Sequence, residues 1–221
     1  MESGDGLVHL LRGPAAEPQG ALILLHGRGT DETDLYPLLD ELDPERRLLG
    51  ITPGGPLTDQ LPGGRHWYVI ERVGQPDEGT FVATMTELCR FLDEFLRARD
   101  LGWEQTILGG FSQGAAVALA AALGAARPAP AGILAMSGFL PVTRGWRLDL
   151  AAKRDLPVYI SHGSLDKMIP AGHGRRARDV LSEAGLDVIY RESRMLHAID
   201  PELLPEMREW VAARVGEQHP A

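Results

Sequence analysis

The chain contains one cysteine, Cys89, in 221 residues. A single cysteine cannot form an internal disulfide bond, and it excludes a metal site built on cysteines. The sequence has no apolar run close to the roughly 18 residues that a membrane-spanning helix needs. Its first residues also lack the basic and apolar regions of a secretory signal. We therefore expect no membrane span and a cytoplasmic location.

Positive charge is scarce, since 22 Lys and Arg residues stand against 31 Asp and Glu residues, a net charge of −9. Such a balance would repel the phosphate backbone of a nucleic acid, so we expect no nucleic-acid partner. The densest basic cluster, Arg175-Arg176-Ala177-Arg178, is short and indicates a solvated helix face rather than a phosphate site. The His, Asp and Glu residues show no metal-site spacing, and we predict no metal.

The order of apolar and helical segments indicates the fold class. Apolar runs bounded by turn residues alternate with segments of helical period, which predicts an α/β fold with a mostly parallel central sheet flanked by helices. A chain of this length buries about 70–75% of its unfolded surface, so we expect a single domain over residues 1–221. Strands are predicted at 8–12, 21–26, 47–52, 106–110, 132–136, 157–161 and 187–192. Helices are predicted at 34–41, 79–100, 112–125, 170–183 and 201–215, and the Gly- and Pro-rich stretch 53–78 is expected to shape a binding face.

The segment Gly110-Phe111-Ser112-Gln113-Gly114 lies between a predicted strand and a predicted helix. A serine at such a turn is held in a strained conformation that projects its hydroxyl above the sheet. Glycines two places on either side let the strand and the helix approach closely. The pattern is therefore typical of a nucleophilic serine, although serine is also favoured as a helix N-cap whatever the chemistry.

Two further polar residues follow other predicted strands. Asp166 comes after the strand at 157–161, and His197 comes just after the strand at 187–192. Ligands bind at the carboxyl ends of parallel strands, so an aspartate there could orient an imidazole that takes the serine proton. The chain order Ser, Asp, His is the order of α/β-hydrolases.

Alternatives for both residues stay open. The carboxylate could come from Asp155 or Glu192, and Asp166 could simply cap the helix that follows it. The imidazole could come from His162 or His173, although one precedes the acid and the other lies at the start of a helix directly after it. His26 and His162 are interpreted as residues that hold loops through hydrogen bonds.

A glycine-containing loop, Leu25-His26-Gly27-Arg28-Gly29-Thr30, follows the predicted strand at 21–26. Its flexible glycines free backbone N–H groups to point at a developing oxyanion. We predict that Arg28 donates one such N–H and that Gln113, the residue after the serine, donates the other.

These segments resemble the phospholipase/carboxylesterase family of α/β-hydrolases, which includes acyl-protein thioesterases and small bacterial carboxylesterases. The resemblance covers nearly the whole chain and is carried by Leu25-His26-Gly27-Arg28-Gly29, Gly110-Phe111-Ser112-Gln113-Gly114, Ser137-Gly138-Phe139-Leu140-Pro141, His162-Gly163-Ser164-Leu165-Asp166 and His197-Ala198-Ile199. It implies ester hydrolysis through a serine acyl-enzyme, a small-molecule ester substrate, no cofactor and a possible homodimer. It also implies that Ser112, Asp166 and His197 form the catalytic triad.

The chain departs from the family pattern at two positions. The family usually has glycine immediately before the catalytic histidine, where this chain has Leu196. The family's aromatic pair is often followed by aspartate, whereas Trp67-Tyr68 is followed by Val69. The first departure concerns the loop or the pocket wall and leaves the substrate preference open, and no role is predicted for Val69.

Large apolar side chains in the segments expected at the strand ends could line an acyl-binding groove. The alternative for each of them is ordinary packing within a loop. The candidates are Trp67, Tyr68, Phe139, Leu140, Trp146, Met168, Ile169, Met195 and Leu196.

The predicted function is that of a serine carboxylesterase acting on short to medium acyl esters. A chain of 221 residues leaves little room for the large lid domain of many lipases, which favours soluble substrates over emulsified lipid. Lysophospholipase, acyl-protein thioesterase and small amidase activities on the same fold stay open, because the sequence does not separate them. A ligand-binding protein without turnover is a further alternative, and the presence of all three triad residue types counts against it.

Overall fold

The computed structural model describes residues 6–58 and 64–214. Within these ranges the strands are β1 (His9–Arg12), β2 (Ala21–Leu25), β3 (Leu49–Pro53), β4 (Ile70–Arg72), β5 (Gln75–Pro76), β6 (Thr106–Phe111), β7 (Gly132–Met136), β8 (Pro157–Gly163) and β9 (Asp187–Ser193). Seven of them form one sheet in the order β1-β3-β2-β6-β7-β8-β9, and β4 pairs with β5 in a separate hairpin. Only β1 runs antiparallel within the large sheet. The predicted α/β fold with a mostly parallel sheet is confirmed.

Helices cover both faces of the sheet. They are α1 (Tyr36–Leu42), α2 (Glu78–Arg97), α3 (Gln113–Leu123), α4 (Gly172–Glu183) and α5 (Leu204–Ala212), with short 3-10 helices at Trp103–Gln105, Ala151–Lys153 and Pro201–Leu203. In β2, Leu22 and Leu24 pack in one buried cluster with α1 and α5, while Ile23 and Leu25 pack in another with α2, α3 and α4. Strands that are buried on both faces have continuous apolar sequences, which explains the run Ala21–Leu25.

The predicted elements agree with the structure to within about three residues at most ends, except in two places. The helix predicted at 201–215 is divided into the 3-10 turn Pro201–Leu203 and α5, which ends at Ala212. Pro205 lies in the first turn of α5, where a missing N–H is tolerated, so its position favours a new helix start. Residues 215 and 59–63 lie outside the described ranges.

The predicted irregular stretch 53–78 contains a hairpin that the sequence analysis did not identify. Strands β4 and β5 are short, and their turn includes Gly74, whose φ of +82° favours glycine. A Cβ at Gly74 would lie 3.3 Å from the His173 ring, so the hairpin approaches the start of α4. The hairpin therefore lies near the carboxyl ends of the strands, where α4 begins.

Two further features concern Cys89 and the length and apolar character of the helices. Cys89 is buried in α2, as expected, and burial raises the pKa of its thiol to about 11. At neutral pH this side chain is therefore a protonated core residue rather than a nucleophile. Across the described chain, no helix combines the length and the apolar character needed to cross a membrane.

Candidate active site

The turn between β6 and α3 holds Ser112 in a strained conformation. Its φ of +56° and ψ of −116° lie where residues with side chains are rarely found. A Cβ at Gly114 would lie 2.0 Å from the Leu25 carbonyl oxygen, and one at Gly110 would lie 2.5 Å from the Gly114 carbonyl carbon. Only glycines at these two positions let β6, α3 and β2 come this close, which is the arrangement that the sequence pattern predicts.

The hydroxyl of Ser112 faces an imidazole rather than the helix. His197 Nε2 lies 2.8 Å from Ser112 Oγ, and the Ser112 side chain makes no capping hydrogen bond to α3. The side chain of Ser112 therefore does not cap α3, so the interpretation of this serine as a helix-capping residue is wrong. The His197 ring packs against the Phe111 ring, with ring centroids 4.8 Å apart.

Asp166 completes a hydrogen-bonded chain. Its Oδ2 accepts a hydrogen bond from His197 Nδ1 at 2.6 Å, while its Oδ1 accepts from the backbone N–H groups of Met168 and Ile169 at 2.8 and 2.9 Å. A carboxylate can only accept here, so Nδ1 carries a proton and the Nε2 lone pair faces the serine. The carboxylate is fully buried, whereas 12% of the His197 side chain stays exposed, so the ring can be reached from solvent.

Three of the competing residues lie elsewhere, and the fourth, His162, makes no hydrogen bond to Ser112. Asp155 precedes β8, at the opposite end of the strand from Asp166. Glu192 accepts hydrogen bonds from Arg175 and from the Tyr190 hydroxyl, and the Arg175 guanidinium holds the pKa of this carboxyl below its ordinary value. His173 packs near Phe139, and burial lowers the pKa of its ring. The structure thus brings only Asp166 and His197 of the candidates to Ser112.

The loop after β2 lies beside the nucleophile. A Cβ at Gly27 would lie 3.6 Å from the Ser112 Cβ, so the loop backbone passes close to the serine. The Gly29 N–H donates to the Arg65 carbonyl at 2.8 Å, whereas the Arg28 N–H donates to no group within residues 6–58 and 64–214. Gln113 is the first residue of α3, so the helix does not use its N–H. Both predicted donors therefore have backbone N–H groups that the described residues do not use, and their role at an oxyanion stays a prediction.

His26 holds this loop, as the sequence predicts. Its Nδ1 donates to the Gly27 carbonyl at 2.6 Å, and its Nε2 accepts from the Gly55 N–H at 2.9 Å. Burial lowers the pKa of the ring, against the weaker opposing effect of the Gly27 hydrogen bond. A neutral ring with one donor and one acceptor therefore fixes the start of the loop to the segment after β3.

Trp67 and Tyr68 differ from their predicted role. Both are buried in the core, with 0% and 1% of their surface exposed, so they leave no area for a ligand in an open groove. Trp67 N–H donates to Gln113 Oε1 at 2.9 Å, and Gln113 Nε2 donates to the Tyr68 carbonyl at 2.8 Å. The indole N–H of Trp67 donates to the His26 carbonyl at 2.9 Å. These hydrogen bonds join the segment at Trp67 and Tyr68 to the start of α3 and to the loop after β2. The sequence analysis missed this role.

The other pocket candidates fall into two groups. Phe139 and Ile169 are buried and Leu140 is partly buried, whereas Met168 and Leu196 are 67% and 61% exposed. Leu165, which the sequence analysis did not select, is also exposed. The sequence signal for its exposure was its position in a turn between two polar residues, Ser164 and Asp166. We call the exposed residues Leu165, Met168 and Leu196 the apolar rim.

The apolar rim lies on the two loops that carry the acid and the histidine. The backbone N–H of Leu165 donates to the Met195 carbonyl at 3.0 Å, so the loops are bonded to each other. Of the remaining candidates, Trp146 donates its indole N–H to the Ala120 carbonyl and Met195 is partly buried. In the described residues no three His, Cys, Asp or Glu side chains are arranged to hold a metal ion.

The chain is similar to known proteins over most of its length. The sequence profile of the phospholipase/carboxylesterase family matches residues 11–214. The acyl-protein thioesterase 1 of Gibberella zeae is 33% identical over 233 residues, covering 96% of this chain and 97% of that protein. The acyl-protein thioesterase 1 of Candida albicans is 28% identical over 197 residues, covering 80% of this chain and 84% of that protein.

Solved structures share the fold over nearly the whole length. The carboxylesterase of Bacillus cereus superposes with a TM-score of 0.83 at 23% identity, covering 96% of each chain. The structure of esterase PE8 superposes with a TM-score of 0.82 at 26% identity, covering 95% of this chain and 100% of that one. The arrangement of strands and helices is therefore that of known esterase structures.

Proposed function

Because the chain belongs to the phospholipase/carboxylesterase family and is a hydrolase of the α/β-hydrolase fold, we propose that it is a serine carboxylesterase with Ser112 as its nucleophile. The observation that carries the proposal is the hydrogen-bonded chain from Ser112 through His197 to the buried Asp166. A serine hydroxyl needs an adjacent base to attack a carbonyl, and the base needs a fixed tautomer. The contacts of His197 with Ser112 and Asp166 support both roles.

In the first half of the reaction, His197 Nε2 accepts the Ser112 proton as Oγ attacks the acyl carbonyl carbon. The imidazolium that forms is stabilised by the carboxylate of Asp166, which stays ionised. The tetrahedral oxyanion accepts hydrogen bonds from the backbone N–H groups of Arg28 and Gln113. These donors are fixed before the reaction, and a single such donor is typically worth about 10²–10³ in turnover.

The acyl-enzyme forms when the tetrahedral intermediate collapses. His197 then gives its proton to the leaving alkoxide, and the alcohol departs while the acyl group stays on Ser112 Oγ. In the second half, His197 takes a proton from water, whose oxygen attacks the acyl carbonyl. Collapse of this second intermediate returns the proton to Ser112 and releases the carboxylic acid.

We propose that the substrates are small-molecule esters with short to medium acyl chains. The apolar rim gives the substrate a limited hydrophobic surface beside His197. Thioester or lysophospholipid hydrolysis is the second candidate, because relatives that cover most of the chain are acyl-protein thioesterases. We also propose that the chain forms a single domain, assembles as a homodimer, needs no cofactor and is located in the cytoplasm.

Hydrolysis of p-nitrophenyl esters over a series of acyl lengths tests the proposal. Wild type is compared with Ser112→Ala and with Ser164→Ala, which removes an exposed serine from the neighbouring loop. We expect Ser112→Ala to lose several orders of magnitude in kcat and Ser164→Ala to keep wild-type activity. Wild-type turnover by Ser112→Ala would refute the nucleophile. Faster hydrolysis of matched acyl thioesters than of oxygen esters would favour the second candidate.

A further inference from the structure

His162, the next-to-last residue of β8, is a buried histidine that the proposed reaction does not use. Its side chain has no exposed surface. Its Nε2 lies 2.7 Å from the Ile169 carbonyl oxygen and 3.6 Å from Asp166 Oδ2. The ring therefore lies against the loop at residues 163–169, which carries the acid.

The contacts of His162 assign its tautomer. The Ile169 carbonyl oxygen can only accept a hydrogen bond, so Nε2 carries the proton. Nδ1 is buried without a hydrogen-bond partner among the described residues, and it faces the backbone of α4, where a Cβ at Gly174 would lie 2.5 Å away. The hydrogen-bonding N–H of the ring is therefore the one at Nε2, and it is directed into the loop.

This N–H and the acid hold the same residue from two sides. Ile169 donates its backbone N–H to Asp166 Oδ1 and accepts the His162 N–H at its carbonyl oxygen. Asp166 Oδ1 is fixed by two backbone donors, which leaves Oδ2 directed at His197 Nδ1. The position of Ile169 thus sets the orientation of the carboxylate, and His162 sets the position of Ile169.

We propose that His162 is a positioning residue for Asp166, an inference that rests on the proposed triad. Its Nε2–H fixes the loop at residues 163–169 and faces Oδ2, so that the carboxylate keeps its alignment with His197. Other charged or titratable groups near the ring are His173 on α4 and Tyr190 and Glu192 on β9, and Glu192 is already bonded to Arg175 and to the Tyr190 hydroxyl. None of these groups replaces the bond to Ile169.

Two amide variants separate positioning from packing. In His162→Gln the side-chain amide can reach the place of Nε2 and donate to the Ile169 carbonyl, whereas in His162→Asn the amide reaches only the place of Nδ1. Both variants bury a polar amide, so their folding costs are comparable. The matched control is His173→Gln, which changes the neighbouring histidine on α4. Each variant is assayed for kcat and KM per folded protein, with unfolding measured in urea.

We expect His162→Asn to lower kcat on the order of 10- to 100-fold with KM nearly unchanged, since small misplacements of catalytic groups have effects of this size. We expect His162→Gln to recover most of this loss and His173→Gln to keep wild-type kcat. Equal kcat for the Asn variant and wild type would overturn the inference. Equal loss in the Asn and Gln variants would overturn it as well, because a purely structural role does not depend on the Nε2 donor.

The position of the His162 ring proton can also be measured on the wild-type protein, which avoids any effect of a substitution on folding. Nitrogen-15 NMR at neutral pH should show a proton on Nε2 of His162, and a ring whose only proton is on Nδ1 would contradict the proposal. Ser112→Ala assayed in the same series separates the two hypotheses. If Ser112→Ala stays active, the proposed function fails. If it is inactive while His162→Asn is unimpaired, only the positioning role fails.

Discussion

Replacing Gln113 by methionine should destabilise the protein strongly and lower its activity. The Gln113 side chain is buried, and it satisfies the Trp67 N–H at 2.9 Å and the Tyr68 carbonyl at 2.8 Å. Methionine has a similar volume but leaves both main-chain groups without a partner. A buried unsatisfied polar group costs about 1–3 kcal/mol, so the two together predict a loss of about 2–6 kcal/mol in the free energy of unfolding.

The same substitution also removes the connection between the start of α3, next to Ser112, and the segment at Trp67 and Tyr68. The Trp67 indole is bonded to the His26 carbonyl, at the start of the loop that carries the Arg28 N–H. We expect kcat to fall, by no more than the factor of about 10²–10³ that loss of one oxyanion donor causes. The assays are urea unfolding and hydrolysis of a p-nitrophenyl ester by the folded protein.

The matched control is Gln105→Met. Gln105 also accepts one hydrogen bond from a backbone N–H, that of Gly102 at 3.1 Å, but it is only partly buried. We expect this variant to lose no more than about 1 kcal/mol, the usual net value of one hydrogen bond. The reasoning is refuted if Gln113→Met is as stable as Gln105→Met.

Two further predictions concern stability. Arg12 and Asp43 form an ion pair in which both side chains are 2% exposed, so Arg12→Met should cost about 3–5 kcal/mol in urea unfolding, whereas Arg46→Met, at an exposed pair, should cost no more than about 1 kcal/mol. Burial lowers the pKa of His26 from 6.5, so the unfolded chain binds more protons below that pH, and stability falls on acidification. His26→Gln should reduce the pH slope of the unfolding free energy between about pH 7 and pH 5, by up to about 1.4 kcal/mol per pH unit. Equal losses for the two arginine variants, or an unchanged slope, would contradict these predictions.

The sheet and the nucleophile turn were predictable because their signals are local. Strands buried on both faces are continuous apolar runs, and the run at Ala21–Leu25 shows this without any structure. The glycines at positions 110 and 114 indicate close approach of backbones, and the contacts made there confirm it. The family membership predicted from five short segments is confirmed by the match over residues 11–214.

Other features depend on contacts between distant parts of the chain. Trp67 and Tyr68 are aromatic residues in an irregular segment, so a groove-lining role was reasonable. Their side chains are buried in the core, and their backbone groups bond to a glutamine 45 or more residues away, which the local pattern does not contain. The position of the His162 ring beside the acid likewise follows from the turn after β8 and the packing of α4. The hairpin β4–β5 was missed because its strands have only three and two residues.

Covalent labelling with a fluorophosphonate, followed by peptide mapping, tests the central claim most directly. Such a reagent phosphonylates the activated serine of a serine hydrolase and leaves unactivated hydroxyls unmodified. The geometry around Ser112 predicts that wild type is labelled at Ser112 and loses esterase activity in proportion, whereas Ser112→Ala takes up no label. Label on a different serine, or full esterase activity in protein that is completely labelled at Ser112, would contradict the account.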